Sequence, residues 1–429
     1  MNALLLSTGL MFALLLGGVW VAAALGLAGA YGLTALLSFD RMLSIVGKMA
    51  WQQGTSFVLV ALPLFILMGE MMLQAGIMQR IYNAASKLVA ALPGGLLQTN
   101  IAASMVFAAC TGSSLASAAT IGSVGYPELA ARGYDRQLSL GSIAAGGTLG
   151  ILIPPSIIFI IYGTLAEVSI GKLFIAGVVP GLLLGGIYSI YIGLRALLNA
   201  SLAPREPRSS WSEVGTALVR LWPIVVLVIV VLGGIYGGVA SPTEIAGVAA
   251  ALTFLFAAME RKLTIDAVST ACLNTVKQTS MILLVIIMAK VLSLTLIYSQ
   301  LPTLATEWVQ QLGASPAQVI LAVLALYLVM GMFFDGVSMM VITIPFIVPI
   351  MTAANVDMVW LGVLICIIIE VGLLTPPVGL NLYVLQGATG EPFRTIVSGS
   401  MPFVLLQIMV MFLIFYFPSL ATTLPNRLY

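Results

Sequence analysis

The sequence predicts an all-α polytopic membrane protein made of two inverted structural repeats, each holding a re-entrant helical hairpin and a proline-broken helix. Three observations carry that prediction. Hydrophobic residues form 61% of the 429-residue chain and charged residues 7%, far from soluble composition. Apolar runs long enough to cross a bilayer recur along the chain. Gly150-Ile-Leu-Ile-Pro-Pro-Ser156 is echoed 222 residues later by Gly372-Leu-Leu-Thr-Pro-Pro-Val378, and the same offset relates Gly177 to Gly399 and Pro180 to Pro402.

The elements follow in order in each half. Helices at 2–16 and 20–38, joined by Gly17-Gly18-Val19, match 218–236 and 242–258, joined by Gly237-Gly238-Val239. Segments 39–54 and 260–278 carry Arg41, Lys48, Arg261, Lys262 and Lys277, so they are too polar to span and suit the membrane interface. Single spans follow at 56–75 and 280–300, and the first half adds an amphipathic stretch from Ile77 to Leu92. Next come two mostly apolar stretches, Leu96 to Tyr126 and Val319 to Thr352, interrupted by Cys110-Thr-Gly-Ser-Ser114 and Asp335-Gly-Val-Ser338. At about 30 residues each they are long for one span and short for two, which suits a re-entrant hairpin with a glycine at its tip. A single kinked helix is the alternative. The proline-broken helices then lead into closing spans at 173–195 and 400–420. The repeats so defined cover 1–198 and 218–429, with 199–217 as a polar linker holding Pro204, Arg205, Glu206, Pro207 and Arg208.

Charge placement predicts an inverted arrangement. With the linker cytoplasmic, twelve basic residues collect on that side (Arg80, Lys87, Arg132, Arg136, Arg195, Arg205, Arg208, Arg220, Arg261, Lys262, Lys277 and Arg394). Four lie outside (Arg41, Lys48, Lys172 and Arg427), as the positive-inside rule requires, and Lys290 stays within a span. The hairpins then open to opposite sides and both termini are external. The first apolar run lacks a cationic start, so it reads as a spanning helix rather than a cleaved signal.

Several chemistries are disfavoured. The chain has no histidine, which removes imidazole metal ligation and Ser-His or Cys-His catalysis, so no enzyme and no bound cofactor are expected. Cys110, Cys272 and Cys366 have no metal-ligand spacing. The net charge of +2, spread through loops, gives no reason to expect nucleic acid, and membrane lipid is the expected surround.

What remains is ion chemistry. Double prolines at mid-membrane depth free backbone carbonyls that lipid cannot satisfy, and paired breaks of this kind point to a transporter's binding site. Sodium needs hard oxygens, which unwound carbonyls and Ser, Thr or carboxylate groups supply. Thr111, Gly112, Ser113 and Ser114 are expected to face the Gly150 to Pro155 break, and Asp335, Gly336 and Ser338 to face Gly372 to Pro377 with Thr375. Asp335 and Glu370 are further candidates for solute contact or ion coupling, because ionisable groups inside spans are costly, and Thr111 of the first polar knot joins them. Ser117 and Ser123 are expected to serve helix packing instead. Glu70 and Glu244 lie near span ends, where solvent or a structural partner suffices.

The segments Leu64-Phe-Ile-Leu-Met-Gly-Glu70, Gly94-Gly95, Ala144 to Ser156, Ser241-Pro-Thr-Glu-Ile-Ala246 and Leu374-Thr-Pro-Pro-Val-Gly-Leu-Asn381 together resemble the large membrane subunit of tripartite ATP-independent periplasmic (TRAP) transporters, over essentially the whole length. The resemblance implies sodium-coupled symport of a carboxylate-bearing solute such as sialic acid or a C4-dicarboxylate. It implies a periplasmic substrate-binding protein that delivers the solute, a small four-helix membrane subunit, and an elevator mechanism at the bacterial inner membrane, with sodium the only metal. The outer helices would form a fixed scaffold. Carried over by motif, sodium ligation falls on Gly112, Ser113, Ser114, Gly150 and Pro155 in one site and on Gly336, Ser338, Thr375 and Pro376 in the other. Val19-Trp20-Val21 departs from the family, whose members carry a proline there. A stand-alone sodium/dicarboxylate symporter of related hairpin architecture is the alternative.

Overall fold

The computed structural model describes residues 2–89, 91–204, 206 and 210–428, and every regular element among them is helical. The first half opens with α1 (Asn2–Leu16), α2 (Val21–Leu36), α3 (Phe39–Gly54) and α4 (Ala61–Gln74), the last entered through a 3-10 turn at Phe57–Val60. The amphipathic α5 (Ile77–Val89) buries Ile77, Met78, Ile81, Tyr82, Ala84 and Ala85 along one side. Helices α6 (Leu96–Thr111) and α7 (Ser114–Ala131) fold back on each other as a hairpin. Far from its tip the arms still touch, since a Cβ on Gly125 would lie 3.0 Å from Asn100 Oδ1. The broken pair α8 (Arg136–Leu152) and α9 (Ile157–Ala166) and the closing α10 (Ile170–Leu198) complete this half.

The second half repeats the order. Helix α11 (Trp211–Arg220) leads into α12 (Trp222–Val228), a π-helical turn at Ile229–Gly233, α13 (Gly234–Tyr236) and α14 (Pro242–Met259). Then come α15 (Ile265–Tyr298), α16 (Leu301–Leu312), a hairpin of α17 (Pro316–Gly331) and α18 (Gly336–Ala353), the broken pair α19 (Met358–Leu373) and α20 (Leu380–Thr389), and α21 (Phe393–Tyr416). Tyr327 and Thr343 share a hydroxyl hydrogen bond of 2.5 Å across the second hairpin. Seven helices among the described residues are long and apolar enough to cross a membrane, or eight if the pair bent by 55° around Leu221 counts as one.

Five features differ from the sequence reading, the first being α16, a second-half counterpart of α5 that the sequence reading did not include. The expected interfacial segment at 260–278 and the span at 280–300 are one 34-residue helix, α15. Neither glycine nor proline falls between Ile265 and Tyr298, so nothing breaks it, whereas Gly54-Thr55-Ser56 separates the corresponding α3 and α4. Helix α15 is about 51 Å long and outruns a hydrocarbon core of about 30 Å. The span at 218–236 carries a π turn and is preceded by α11, which takes up part of the expected linker and packs on α5. A further helix, α22 (Ser419–Leu428), lies against α10 beyond the expected last span.

Arg205, Pro207 and Arg208 of that linker lie outside the described residues. Glu206 anchors it, accepting hydrogen bonds from Arg132 Nη1 at 2.8 Å and from the Tyr134 hydroxyl at 3.1 Å. Burial pushes the Tyr134 hydroxyl up to about 12, which keeps it a donor.

The two broken helices occupy the centre. Every residue from Leu138 to Leu152 and from Leu361 to Leu373 is buried. Close backbone approach makes this packing: a Cβ on Gly372 would lie 2.6 Å from Gly331 Cα, and one on Gly399 of α21 would lie 3.1 Å from Gln137 Cα of α8. Small residues at such crossings are how helices associate where no hydrophobic drive between them exists.

Candidate functional site

At the first hairpin tip, α6 stops because Gly112 adopts φ 61°, a left-handed conformation that suits glycine. Ser113 is extended and caps α7, its side chain accepting from Ala116 N. The tip lies directly on the first helix break: a Cβ on Gly112 would be 2.6 Å from the Pro155 carbonyl oxygen, and one on Gly150 would be 2.7 Å from the Ser113 carbonyl oxygen. Pro154 and Pro155, joined by a cis peptide, have no N–H to give to the Gly150 and Ile151 carbonyls. Ile151 is rescued by the Ser156 hydroxyl at 2.5 Å and the Cys366 thiol at 3.1 Å. The Gly150 carbonyl is left without its helical donor beside the tip.

The second tip is built alike, with Asp335 in the capping position that Ser113 holds. Its Oδ2 accepts from Val337 N at 3.0 Å and Ser338 N at 3.2 Å. The turn is bonded to the second break through Val378 N and the Met332 carbonyl, at 3.2 Å. That break also contains a cis Pro376-Pro377 bond, and Thr375 bends its hydroxyl back onto the Val371 carbonyl at 2.6 Å.

Both tips meet around one cavity of about 160 Å³, lined on one side by Gly112, Ser113 and Ser114 and on the other by Asp335, Gly336 and Val337. Gln278 and Met281 of α15 close it laterally. The halves are tied together there by Asn381 Nδ2, which donates to Ser114 Oγ at 2.5 Å although Asn381 sits at the start of α20 in the other half. The N-terminal turns of α7 and α18 thus approach the same space, where Ser113 already accepts from Ala116 N and the Asp335 carboxylate from Val337 N and Ser338 N. Asp335 is the one charged side chain among the described lining residues. Among the described residues no three His, Cys, Asp or Glu side chains gather to hold a metal, so the oxygens on offer are carbonyls, hydroxyls, amides and one carboxylate. Such a set suits a hard cation.

Most of the expected residues are brought together, each in an identifiable role. Gly112, Ser113, Ser114, Asp335 and Gly336 line the cavity, while Gly150, Pro155, Thr375 and Pro376 form the breaks against which the tips rest. Ser338 is not among the cavity-lining residues, and its backbone N–H is given to Asp335 Oδ2. Thr111 faces a smaller space of about 40 Å³ beside Glu70, and its hydroxyl returns to the Phe107 carbonyl. Glu370 lies away from the cavity lining, fully buried on α19. Ser117 bonds the Ser113 carbonyl at 2.7 Å and Ser123 the Thr120 carbonyl, the packing roles expected of them.

Both doubtful acids have structural partners. Glu70 clamps α4 to α15 by accepting from Asn274 at 2.9 Å and Gln278 at 2.9 Å. Glu244 closes a capping box on Ser241 at the start of α14. Lys290 reaches Glu167 at 3.2 Å, linking α15 to the end of α9. Asn381 and Gln278 were not singled out by sequence reasoning. The available signal was spacing: Asn381 lies a few residues beyond the second double proline, and Gln278 repeats Asn274 one helical turn on.

Comparison with known proteins agrees over the whole length. The family model for the tripartite ATP-independent periplasmic transporter, DctM component, matches residues 8–420. The chain is 36% identical over 407 residues to the C4-dicarboxylate TRAP transporter large permease protein DctM of Pseudomonas aeruginosa, covering 94% of each. It is 32% identical over 414 residues to the 2,3-diketo-L-gulonate TRAP transporter large permease protein YiaN of Escherichia coli (95% and 96% covered). It is also 32% identical over 379 residues to the sialic acid TRAP transporter permease protein SiaT of Haemophilus influenzae (87% of this chain, 60% of that one). Among solved structures, the YdaH transporter of Alcanivorax borkumensis superposes with a TM-score of 0.64 at 16% identity over 88% of each chain, a likeness of fold. The chain belongs to the DctM component family of tripartite ATP-independent periplasmic transporters, as a large permease subunit rather than an enzyme.

Proposed function

We propose that this permease subunit couples sodium entry to uptake of a carboxylate-bearing solute delivered by a periplasmic substrate-binding protein, working with a small four-helix membrane subunit. The observation that carries the reading is the meeting of both hairpin tips at one cavity, each tip resting on a double-proline break. Sodium would be held where Gly112, Ser113, Ser114, Gly150 and Pro155 meet, and where Gly336, Thr375 and Pro376 meet with the backbone near Ser338. The carboxylate would lie between the tips, facing the N-termini of α7 and α18. Names of relatives that include C4-dicarboxylate and sialic acid support that cargo class.

In this reading the halves are inverted repeats and the hairpins are re-entrant. The unit formed by α6–α10 and α17–α21 moves as an elevator against a scaffold that includes α2, α4, α14 and α15. The twelve-to-four division of basic residues supports an inner-membrane orientation with both termini periplasmic. The test is reconstitution of both membrane subunits in liposomes with candidate binding proteins under an imposed sodium gradient. Uptake should require the gradient, the binding protein and the small subunit. Uptake that survives collapse of the gradient sinks the symport reading, and uptake without the small subunit favours a stand-alone carrier.

A further inference from the structure

Behind the cavity a second polar cluster lies where α8, α10, α19 and α21 cross. Its centre is Glu370, fully buried, with neither carboxylate oxygen hydrogen-bonded to any protein group. Thr148, at the equivalent position on the other broken helix, donates to the Ala145 carbonyl and accepts from Gln407 Nε2 at 2.8 Å. That leaves the Gln407 Oε1 atom buried and unpartnered, while the buried Tyr188 hydroxyl rests against Thr148 and Gln407 without a well-aligned hydrogen bond. Tyr188 lies beside Thr148 and Gln407, its ring 5.4 Å from that of Phe403, one turn before Gln407. Cys366, one turn before Glu370, spends its thiol on the Ile151 carbonyl at 3.1 Å.

An isolated carboxylate in such a place is costly, and more so when dry, so a cation must neutralise it. Among the described residues no Lys or Arg side chain is bonded to it. The neighbouring groups that titrate are Tyr188 and Cys366, both neutral in ordinary conditions, and α8 and α21 contribute Thr148 and Gln407, which do not titrate. Tyr162 of α9 and Tyr327 of α17 are bonded to the Met358 carbonyl and to Thr343, while Tyr383 of α20 and Arg427 of α22 are exposed. Among the described residues the free oxygens of this region are two on Glu370 and one on Gln407, with the Tyr188 hydroxyl loosely held. Sodium takes about five or six, whereas a proton needs one acceptor.

We propose that the Glu370 carboxyl, fully buried on α19 with no hydrogen-bond partner among the described residues, is a proton site, and that its proton crosses with the solute as a coupling ion beside sodium. The proton binds one carboxylate oxygen on the outer side and leaves from it to water on the inner side, so no other reactant is needed. This rests on the sodium-symport reading but assigns the cluster separately from the hairpin tips.

Two measurements on the complete membrane complex test it. Infrared spectra of the wild type should contain a carboxylic acid C=O band that is missing in Glu370→Gln and unaffected by sodium. In liposomes with equal sodium on both sides, an acid-outside gradient should raise wild-type accumulation about tenfold per pH unit, while E370Q stays indifferent to the pH gradient yet still responds to a sodium gradient. An absent band, a band abolished by sodium, or wild-type accumulation blind to the pH gradient overturns the proposal. Should no preparation show sodium-driven uptake, the symport reading fails, and the infrared band still decides whether Glu370 carries a proton.

Discussion

Gly112→Ala probes the contact between a hairpin tip and its broken helix most directly. The native residue has φ 61°, where an alanine costs about 1–2 kcal/mol in the backbone alone. Its new Cβ would stand 2.6 Å from the Pro155 carbonyl oxygen, against 3.4 Å for an ordinary contact, so the tip must withdraw by 3.4 − 2.6 = 0.8 Å. Overpacking of that size in a buried site costs about 1–3 kcal/mol. The sum, about 3 kcal/mol, corresponds to roughly 100-fold against the tip-closed state. If sodium is held there, the concentration giving half-maximal uptake should rise by about 30- to 100-fold, measured as initial uptake in liposomes across a sodium series. Gly133→Ala is the control, since Gly133 also has positive φ but has nothing within 4 Å of its added Cβ. It should lower thermal stability slightly and leave the sodium curve alone. A G112A protein whose sodium curve matches wild type would refute the assignment of ion binding to this junction.

Three further outcomes are expected. Ser114→Ala and Asn381→Ala, combined in a double-mutant cycle on thermal stability, should show a coupling of about 1 kcal/mol, reflecting the bond that joins the halves; a coupling near zero would mean that the bond contributes nothing. Ser113→Ala or Thr375→Ala should weaken sodium dependence more than Ser123→Ala, whose hydroxyl serves only the Thr120 carbonyl, and equal effects would count against the tip sites. Arg80 holds the Glu260 carboxyl below the usual carboxylate range by a direct hydrogen bond, with a second contact from Nη2 to Oε2 at 2.7 Å. That pair therefore stabilises the fold above about pH 4.3 and stops doing so as pH falls through the lowered folded value. With side chains 38% and 30% exposed, the contribution is screened. Glu260→Gln should lower stability at pH 7 by up to about 1 kcal/mol and converge with wild type in strong acid.

Much of this architecture was legible in the residues because bilayer length and proline chemistry are local constraints. The hairpin tips and both breaks follow from glycine, serine and proline placed inside apolar runs, and the order of helices from the repeat. The reading failed where polarity was taken for a break: Lys277 and its neighbours made 260–278 look separate from the next span, yet helix continuity depends on backbone breakers, and none occurs there. It also missed what tertiary packing decides. Asn381 belongs to one half and bonds the other, and no pattern within either half reports that contact. Glu370 was marked by its cost in an apolar helix, but only the fold reveals that it is fully buried away from the cavity lining.

The crossing of α8 with α21 has a consequence for biogenesis. Gly399 follows Gly141 by 258 residues, and the two backbones are in contact in the finished protein. At a synthesis rate of about 5–20 residues per second, α8 waits on the order of 10–50 s before its partner leaves the ribosome. During that interval a glycine-faced, proline-broken helix must be shielded within the membrane by something other than its final neighbour. The first half is thus inserted as an unfinished structure, and the last long helix to emerge completes its core.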